Sequence, residues 1–82
     1  MVTVEFFGLY RLEYGIAAVE LEVKNIEELF TQLEEKYKKY SAKELRNSIV
    51  IINDVNFMKL KKYKTKLKDG DNVLIMSPAS GG

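Results

Sequence analysis

Residues 25–40 read NIEELFTQLEEKYKKY, and the spacing of their apolar side chains decides the main layer of the fold. Asn25 is a favourable helix N-cap, and Glu28 stands three positions later, as in a capping box. Apolar and aromatic residues then recur at spacings that place them on one face of a helix. They are Ile26, Leu29, Phe30, Leu33, Tyr37 and Tyr40. The stretch predicts one amphipathic helix that buries this face against another layer.

The segments before this helix have a different period and predict two strands. Residues 2–7 (VTVEFF) and residues 18–23 (AVELEV) alternate along the chain and contain β-branched or aromatic side chains, which is typical of strands. Gly8 and Gly15 bracket the connection between them. Two strands joined by a connection of this length suggest a hairpin.

The segments after the helix predict further strands. Ser41 and Glu44 repeat the capping spacing and predict a short helical turn over residues 41–46. The apolar run at residues 49–52 (IVII) predicts a strand buried on both faces. Residues 72–76 (NVLIM) predict the last strand.

Between these last two strands the chain is rich in lysine. Residues 56–68 predict an irregular segment with at most one short edge strand, since lysine discourages edge-to-edge pairing. Asp69-Gly70-Asp71 predicts a turn. The element order is then β-β-α-β-(β)-β, which indicates a single α+β domain over residues 1–82. In it, one main helix covers one face of a four- to five-stranded sheet.

The sheet face that points away from the helix is predicted to be apolar. Alternation along the strands turns one set of large apolar residues to that side: Phe7, Leu74, Met76 and either Ile49 or Ile51. No second long helix is predicted to cover them. Because an exposed apolar patch on a small protein usually marks a binding surface, this face is a candidate site.

Composition excludes several classes of catalytic site. The 82 residues contain no cysteine and no histidine, so a disulfide framework, a zinc knuckle, a Cys–His nucleophile and a Ser–His–Asp triad are ruled out. No apolar run approaches the roughly 20 residues of a membrane span, and the first residues lack the pattern of a signal peptide. We therefore expect a cytoplasmic protein without a metal site or membrane contact.

Charge is distributed unevenly along the chain. Residues 1–35 contain two basic and eight acidic side chains, a net −6, whereas residues 36–82 contain eleven basic and four acidic, a net +7. Lysines around Tyr63 would suit phosphate contacts and base stacking. The whole domain is nearly neutral, however, whereas nucleic-acid-binding domains are usually clearly basic. We expect a solvated edge or a surface for an acidic partner, and not a nucleic-acid partner.

The last third of the chain carries the most specific pattern. It consists of Ile51-Ile52-Asn53-Asp54, then Leu67-Lys68-Asp69-Gly70-Asp71, an apolar strand and the end Ser77-Pro78-Ala79-Ser80-Gly81-Gly82. Together with the first strand, this pattern resembles the MoaD-like small subunit of molybdopterin synthase, in its archaeal-type form, within the MoaD/ThiS superfamily of sulfur carriers. The resemblance implies a ubiquitin-like β-grasp with a flexible Gly-Gly tail over residues 77–82.

The resemblance also implies where the chemistry takes place. An ATP-dependent adenylyltransferase, MoeB-like or ubiquitin-activating-like, would adenylate the C-terminal carboxylate of Gly82. A sulfur donor would then convert it to a thiocarboxylate. Gly81, Ser80 and Pro78 would belong to the thin tail that carries this group, since glycine can approach a nucleotide closely and proline ends sheet pairing. The chain itself would bind no cofactor, and the activating enzyme would use ATP.

Finally, the resemblance assigns partners to the apolar face. That face would dock on the adenylyltransferase and, alternately, on the large subunit of molybdopterin synthase. Phe7, Leu60 and Met76 match the family's apolar contact positions, and Leu74 extends the patch. The chain would then be a non-catalytic subunit and sulfur-donating co-substrate of the synthase. Other functions stay open: a ubiquitin-like modifier joined through Gly82 to lysines, a sulfur carrier for thiamine or tRNA thiolation, or a plain interaction domain.

Overall fold

The computed structural model describes residues 1–53, 55–56 and 65–77. The elements, in chain order, are β1 (Val2–Phe7), α1 (Leu9–Tyr14), β2 (Ala18–Leu21), α2 (Ile26–Tyr37), α3 (Ala42–Leu45), β3 (Ile49–Ile52), β4 (Val55–Asn56) and β5 (Asn72–Met76). The strands form one sheet in the order β2-β1-β5-β3-β4, in which β1 and β5 are parallel and the other neighbours are antiparallel. The predicted ubiquitin-like β-grasp, a mixed sheet packed on one main helix, is confirmed.

Capping interactions and backbone conformation set the two ends of helix α2. The Asn25 side chain accepts a hydrogen bond from the backbone N–H of Glu28 at 2.7 Å, as the capping spacing predicts. Lys38 takes a left-handed conformation with φ 55° and ends the helix after Tyr37. Tyr40 therefore lies beyond the helix, where it is half-buried against the core.

The core lies between one face of the sheet and α2. Alternation sends every second strand residue to this face, and α2 contributes its apolar stripe. The strand residues are Val2, Val4, Phe6, Val50, Ile52, Val73 and Ile75, and the helix residues are Ile26, Leu29, Phe30 and Leu33. Each buried side chain of this size contributes about 1.5–3 kcal/mol of hydrophobic stabilisation, so this single layer dominates the stability of the domain.

The connection between β1 and β2 contains helix α1, which the sequence pattern does not predict. Gly8 precedes it with φ 64°, and Gly15 ends it in a left-handed conformation with φ 75°. Tyr10 and Tyr14, four residues apart, are buried on its inner side, and Tyr14 stacks on Phe6 with ring centroids 4.4 Å apart. A helix of six residues is too short to show a clear period, so the two glycines suggested only a loop.

The two buried tyrosines of α1 differ in what their hydroxyl groups contact. Tyr10 Oη lies 2.8 Å from Ser48 Oγ. Tyr14 Oη is buried and has no hydrogen-bond partner among the residues that the structure describes. Burial, followed by the neighbouring tyrosines and Glu44, raises the pKa of Tyr14 far above its ordinary value, so the ring stays neutral at physiological pH.

We predict opposite stability effects for removal of these two hydroxyl groups. Tyr10→Phe loses a buried hydrogen bond and should lower the free energy of unfolding by about 1 kcal/mol. Tyr14→Phe loses none and should leave that free energy unchanged or raise it. Chemical denaturation of the two variants measures the difference. A larger loss for Tyr14→Phe than for Tyr10→Phe would contradict this geometry.

Strand β3 has its predicted span but not its predicted burial. Val50 and Ile52 are buried, whereas Ile51 is half-buried and Ile49 is 39% exposed. The prediction of a strand buried on both faces was wrong, because the described helices pack on one face of the sheet only. The apolar run therefore contributes to the core with one half of its side chains.

Two other spans differ from their predictions. Strand β2 ends at Leu21, two residues before the predicted end, although Val23 is still buried. The edge strand β4 is Val55–Asn56, and it pairs with β3. Most of the lysine-rich segment, at residues 57–64, lies outside the described residues.

The turn before β5 is held by a buried carboxylate. Asp71 Oδ2 accepts a hydrogen bond from the backbone N–H of Lys68 at 2.8 Å, and Oδ1 accepts one from the Asn53 side-chain amide at 3.0 Å. The Asn53 side chain in turn accepts the backbone N–H of Asn72 at 2.8 Å. This network joins the end of β3 to the start of β5, and the predicted turn at residues 69–71 is present.

The same contacts set the acidity of Asp71. Burial opposes its ionisation, but the hydrogen bonds from Lys68 and Asn53, with the Lys68 charge, outweigh burial and lower the pKa of Asp71 below its ordinary value of 3.8. A carboxyl group whose pKa is lowered by folding stabilises the native state above the unfolded pKa. That stabilisation is lost as the pH falls through the lower, folded value.

We predict that Asp71→Asn lowers the free energy of unfolding at pH 7 by about 1–3 kcal/mol, because one of its two hydrogen-bond donors loses its acceptor. The stability lost below about pH 4 should also be smaller in this variant than in the parent chain. Denaturation curves across pH measure both effects. Asp69→Asn is the matched control, since Asp69 is exposed and its ion pair with the terminal amine of Met1 lies at the surface. An equal loss in the control would refute the role of the Asp71 network.

Candidate functional site

The candidate site is the sheet face opposite the helices, at the end where β5 leaves the sheet. The strand register aligns its residues in two rows across β1, β5 and β3. The first row is Phe7, Met76 and Ile49, and the second row is Glu5, Leu74 and Ile51. We call the five apolar members of these rows the apolar face: Phe7, Ile49, Ile51, Leu74 and Met76.

The apolar face is partly open to solvent: Phe7 and Ile49 are exposed, whereas Ile51, Leu74 and Met76 are half-buried. The buried side chains of helices α1, α2 and α3 pack against the opposite face of the sheet. Phe7 is 54% exposed, and its neighbour across the sheet, Met76, is half-buried. Exposed side chains of this size are a liability for solubility unless a partner covers them, which is why such patches mark binding sites.

The chain leaves the sheet beside this face. Strands β1 and β5 are parallel, so their C-terminal ends lie side by side at one end of the sheet. Ser77 follows β5 there, and a Cβ added to Gly8 would lie 4.0 Å from Ser77 Oγ. Gly8 has φ 64° and ψ −134°, a backbone conformation essentially restricted to glycine. We call Ser77 the tail root, because residues 78–82 follow from it.

The polar groups with shifted acidity lie away from the apolar face. Asp71 is at the start of β5, the end opposite to the tail root. Tyr14 and Tyr40 belong to the aromatic cluster on the helical side. Within the described ranges no group of three or more Asp or Glu side chains is placed to hold a metal ion. The described part of the site therefore consists mainly of apolar side chains, with no metal-binding cluster among the described residues.

The structure brings together some of the predicted site residues. Phe7, Leu74 and Met76 lie on one face, as predicted, and both Ile49 and Ile51 join them. Five predicted residues lie outside the described part of the chain: Leu60, Pro78, Ser80, Gly81 and Gly82. Contact with partners at Phe7, Leu60, Leu74 and Met76, and chemistry at the tail, stay predictions.

Sequence reasoning missed two exposed residues next to this site. Leu9 and Leu12 lie on α1 and are 50% and 79% exposed. They are three residues apart, a spacing that places both on one side of a helix. The only available signal was this spacing, within a segment that two flanking glycines identified as a loop.

The family comparison covers almost the whole chain. The model of the ThiS family matches residues 4–82, which includes every element of the fold apart from the first two residues of β1. No curated protein sequence is significantly similar to the chain. Within the described residues no helix is both long enough and apolar enough to cross a membrane.

Solved structures share the fold over nearly their full lengths. The small archaeal modifier protein 1 of Methanosarcina acetivorans is 25% identical with a TM-score of 0.81, and the alignment covers 99% of this chain and 95% of that one. A chain in the complex of subunits 1 and 2 of the molybdopterin-converting factor from Helicobacter pylori is 27% identical with a TM-score of 0.68, covering 99% and 97%. A chain in the BexX/CysO complex of Amycolatopsis orientalis is 24% identical with a TM-score of 0.82, covering 100% of both, and shows likeness of fold.

We predict that Phe6 and Phe7, adjacent in sequence, differ sharply in their contribution to stability. Phe6→Ala removes a buried ring from the core and should cost about 3–5 kcal/mol of unfolding free energy. Phe7→Ala removes a ring that faces solvent and should cost less than about 1 kcal/mol. Thermal and chemical denaturation check this, and a core-sized loss for Phe7→Ala would rule out an exposed docking role.

Proposed function

The chain belongs to the ThiS family, and from this premise we propose that it is a sulfur carrier that reacts at its own C-terminus. The observation that carries the proposal is the course of β5, which delivers the chain to Ser77 beside an exposed apolar face. A partner docked on that face would lie next to the tail and could receive Gly82 in its active site. The acting unit would be the whole of residues 1–82, with 77–82 as the tail.

The chemistry needs no side-chain catalyst from this chain. An α-carboxyl group has a pKa of roughly 3.3–3.7, so Gly82 would be ionised at neutral pH and able to act as a nucleophile. The carboxylate oxygen would attack the α-phosphorus of ATP, releasing pyrophosphate and leaving an acyl-adenylate. Hydrosulfide, or a donor equivalent to it, would then displace AMP at the carbonyl carbon and leave a thiocarboxylate. The ATP would be bound by the activating enzyme, and we expect this reaction in the cytoplasm.

We further propose that the carrier serves as the small subunit of molybdopterin synthase. Its 27% identity to a chain of the Helicobacter pylori molybdopterin-converting factor complex supports this assignment. Two thiocarboxylated chains would each deliver one sulfur to the dithiolene of the pterin, and the large subunit would supply the groups that act on the pterin. The apolar face would dock on the large subunit and, at another stage, on the adenylyltransferase.

A second candidate function is protein modification. The 25% identity to the small archaeal modifier protein 1 of Methanosarcina acetivorans favours it. Both functions begin with the same acyl-adenylate and differ in the group that attacks next. A lysine amine would give an isopeptide bond at Gly82, whereas a sulfur nucleophile would give a thiocarboxylate. Sulfur delivery to thiamine or to tRNA would use the same thiocarboxylate with a different acceptor.

Intact-protein mass spectrometry tests the proposal. The purified chain is incubated with the MoeB-like adenylyltransferase of the same organism, ATP and sodium sulfide. We expect the mass to rise by the difference between sulfur and oxygen, and fragmentation to assign the change to Gly82. A chain that lacks Gly81 and Gly82 should remain unmodified, because the reactive carboxylate is removed from its place on the tail.

The controls separate the candidate functions. Omission of ATP should abolish the mass change, since a carboxylate cannot exchange its oxygen without activation. Modification of the truncated chain, or sulfur at another position, would refute a carrier role. Isopeptide-linked products at lysines in the presence of a cell extract, without a thiocarboxylate form, would favour the modifier. Addition of the large subunit and the pterin precursor to the thiocarboxylated chain then tests for dithiolene formation.

A further inference from the structure

The described strands contain two charged residues, and both are acidic. They are Glu5 of β1 and Glu20 of β2, and both side chains are exposed. Strands β3, β4 and β5 contain no charged residue. The basic residues in the described part of the chain belong to the helices and the connections. The sheet therefore carries charge of one sign only.

The strand register places both carboxylates on the same side of the sheet as the apolar face. Glu5 is two residues from Phe7 on β1 and pairs with Leu74 of β5. On β2, Ala18 is opposite Glu5, and Glu20 is the diagonal neighbour, roughly 7–8 Å away. We call Glu5 and Glu20 the acidic border, because they lie beside the apolar face on the β1–β2 side.

The fold gives a reason for Glu20 but none for Glu5. Strand β2 is an edge of the sheet, and a charged side chain there discourages pairing with another chain. Strand β1 lies between β2 and β5, so Glu5 protects no edge. Glutamate is also depleted in strands. Neither carboxylate forms an ion pair or hydrogen bond with another residue in the described ranges. Glu5 therefore adds nothing visible to the stability of the domain.

A protein that covers the apolar face must also accommodate the acidic border. Neighbouring strands lie roughly 4.8 Å apart, so a surface seated on Leu74 extends over Glu5 on the next strand. Removing water from an unpaired carboxylate is strongly unfavourable, and the partner must replace it with a cation or several hydrogen-bond donors. Arginine suits this position best, because its planar guanidinium matches a carboxylate and is weakly hydrated. The charge of the border thus specifies the chemistry of the partner.

We propose that the ATP-dependent adenylyltransferase docks on the apolar face with an arginine or lysine side chain placed against Glu5 and Glu20; the inference rests on the proposed function and specifies the enzyme surface that it requires. This enzyme is the occupant because both candidate functions, sulfur transfer and protein modification, begin with the acyl-adenylate at Gly82. The carboxylates attract a basic surface and disfavour surfaces that are acidic or only apolar. The apolar face supplies contact area, and the acidic border supplies selectivity.

The test measures ATP–pyrophosphate exchange by the MoeB-like adenylyltransferase of the same organism, with the carrier as the varied substrate. Glu5→Lys should raise KM for the carrier about tenfold or more, with kcat changed less than about twofold, because it opposes the enzyme's cation with a like charge. Glu5→Gln, which is similar in shape, should raise KM about threefold or more. Glu35→Lys, at an exposed position of α2, changes the net charge equally and should behave like the parent chain. Denaturation curves verify that all variants are folded.

The dependence of KM on salt separates a charge contact from a structural effect. Between about 0.05 M and about 0.3 M sodium chloride, the screening length falls from roughly 14 Å to roughly 6 Å. The KM of the parent chain should therefore rise with salt, and that of the double variant Glu5→Gln/Glu20→Gln should rise much less. A folding defect or an apolar contact would change KM without removing its dependence on salt.

The outcomes distinguish this inference from the proposed function. If the parent chain shows no exchange that depends on Gly82, the proposed function fails, and the inference falls with it. If the parent chain is active and the Glu5 variants keep its KM, only the inference fails. It also fails if the double variant keeps the full salt dependence, or if Glu35→Lys raises KM as much as Glu5→Lys does. Sedimentation that shows a dimer of the parent chain and a monomer of Glu5→Lys would assign the acidic border to self-association and refute the proposal.

Discussion

The parallel pairing of β1 with β5 is the constraint on which the rest of the molecule depends. It joins the first and last strands of the domain, so the fold closes only when the two ends of the described chain meet. The pairing also aligns Phe7 with Met76 and brings the Gly8 turn next to Ser77. The register between β1 and β5 therefore determines which side chains lie in the core, which form the apolar face, and where Ser77 lies. A shift by one residue would move the core side chains of one of the two strands to the solvent side.

The described helices form one layer and cover only one of the two faces of the sheet. One half of the strand side chains is sufficient to fill the core against α2. Strands β3 and β5 also have apolar side chains on the other face of the sheet. These side chains, with Phe7 of β1, form the apolar face at the end of the sheet near Ser77. At the other end of the same face the strands carry Thr3 and Asn72, which are polar. On this face of the sheet the large apolar side chains therefore lie at the end near Ser77, and polar side chains lie at the other end.

Polar interactions secure the parts of the fold that the core does not reach. Asp71 and Asn53 tie the start of β5 to the end of β3, at the end of the sheet remote from the tail. At the end of the sheet near Ser77, the six-residue helix α1 is held in place by its two buried tyrosines, Tyr10 and Tyr14. Together with the core, these contacts hold both ends of the sheet in the described part of the chain.

The amino-acid sequence by itself determined the period of α2, the span of β3 and of β5, the capping of both α2 and α3, and the absence of thiol and imidazole chemistry. These features depend on neighbouring residues, and local spacing is sufficient to predict them. The apolar half of the site was also predictable, since alternation places Phe7, Leu74 and Met76 on one side once a single helix covers the other. Helix α1 and the exposure of Ile49, Leu9 and Leu12 were decided by the tertiary structure. The reason is physical: burial depends on which faces the few helices can cover, and the neighbourhood of Gly8 and Ser77 exists only after residues nearly seventy positions apart have paired.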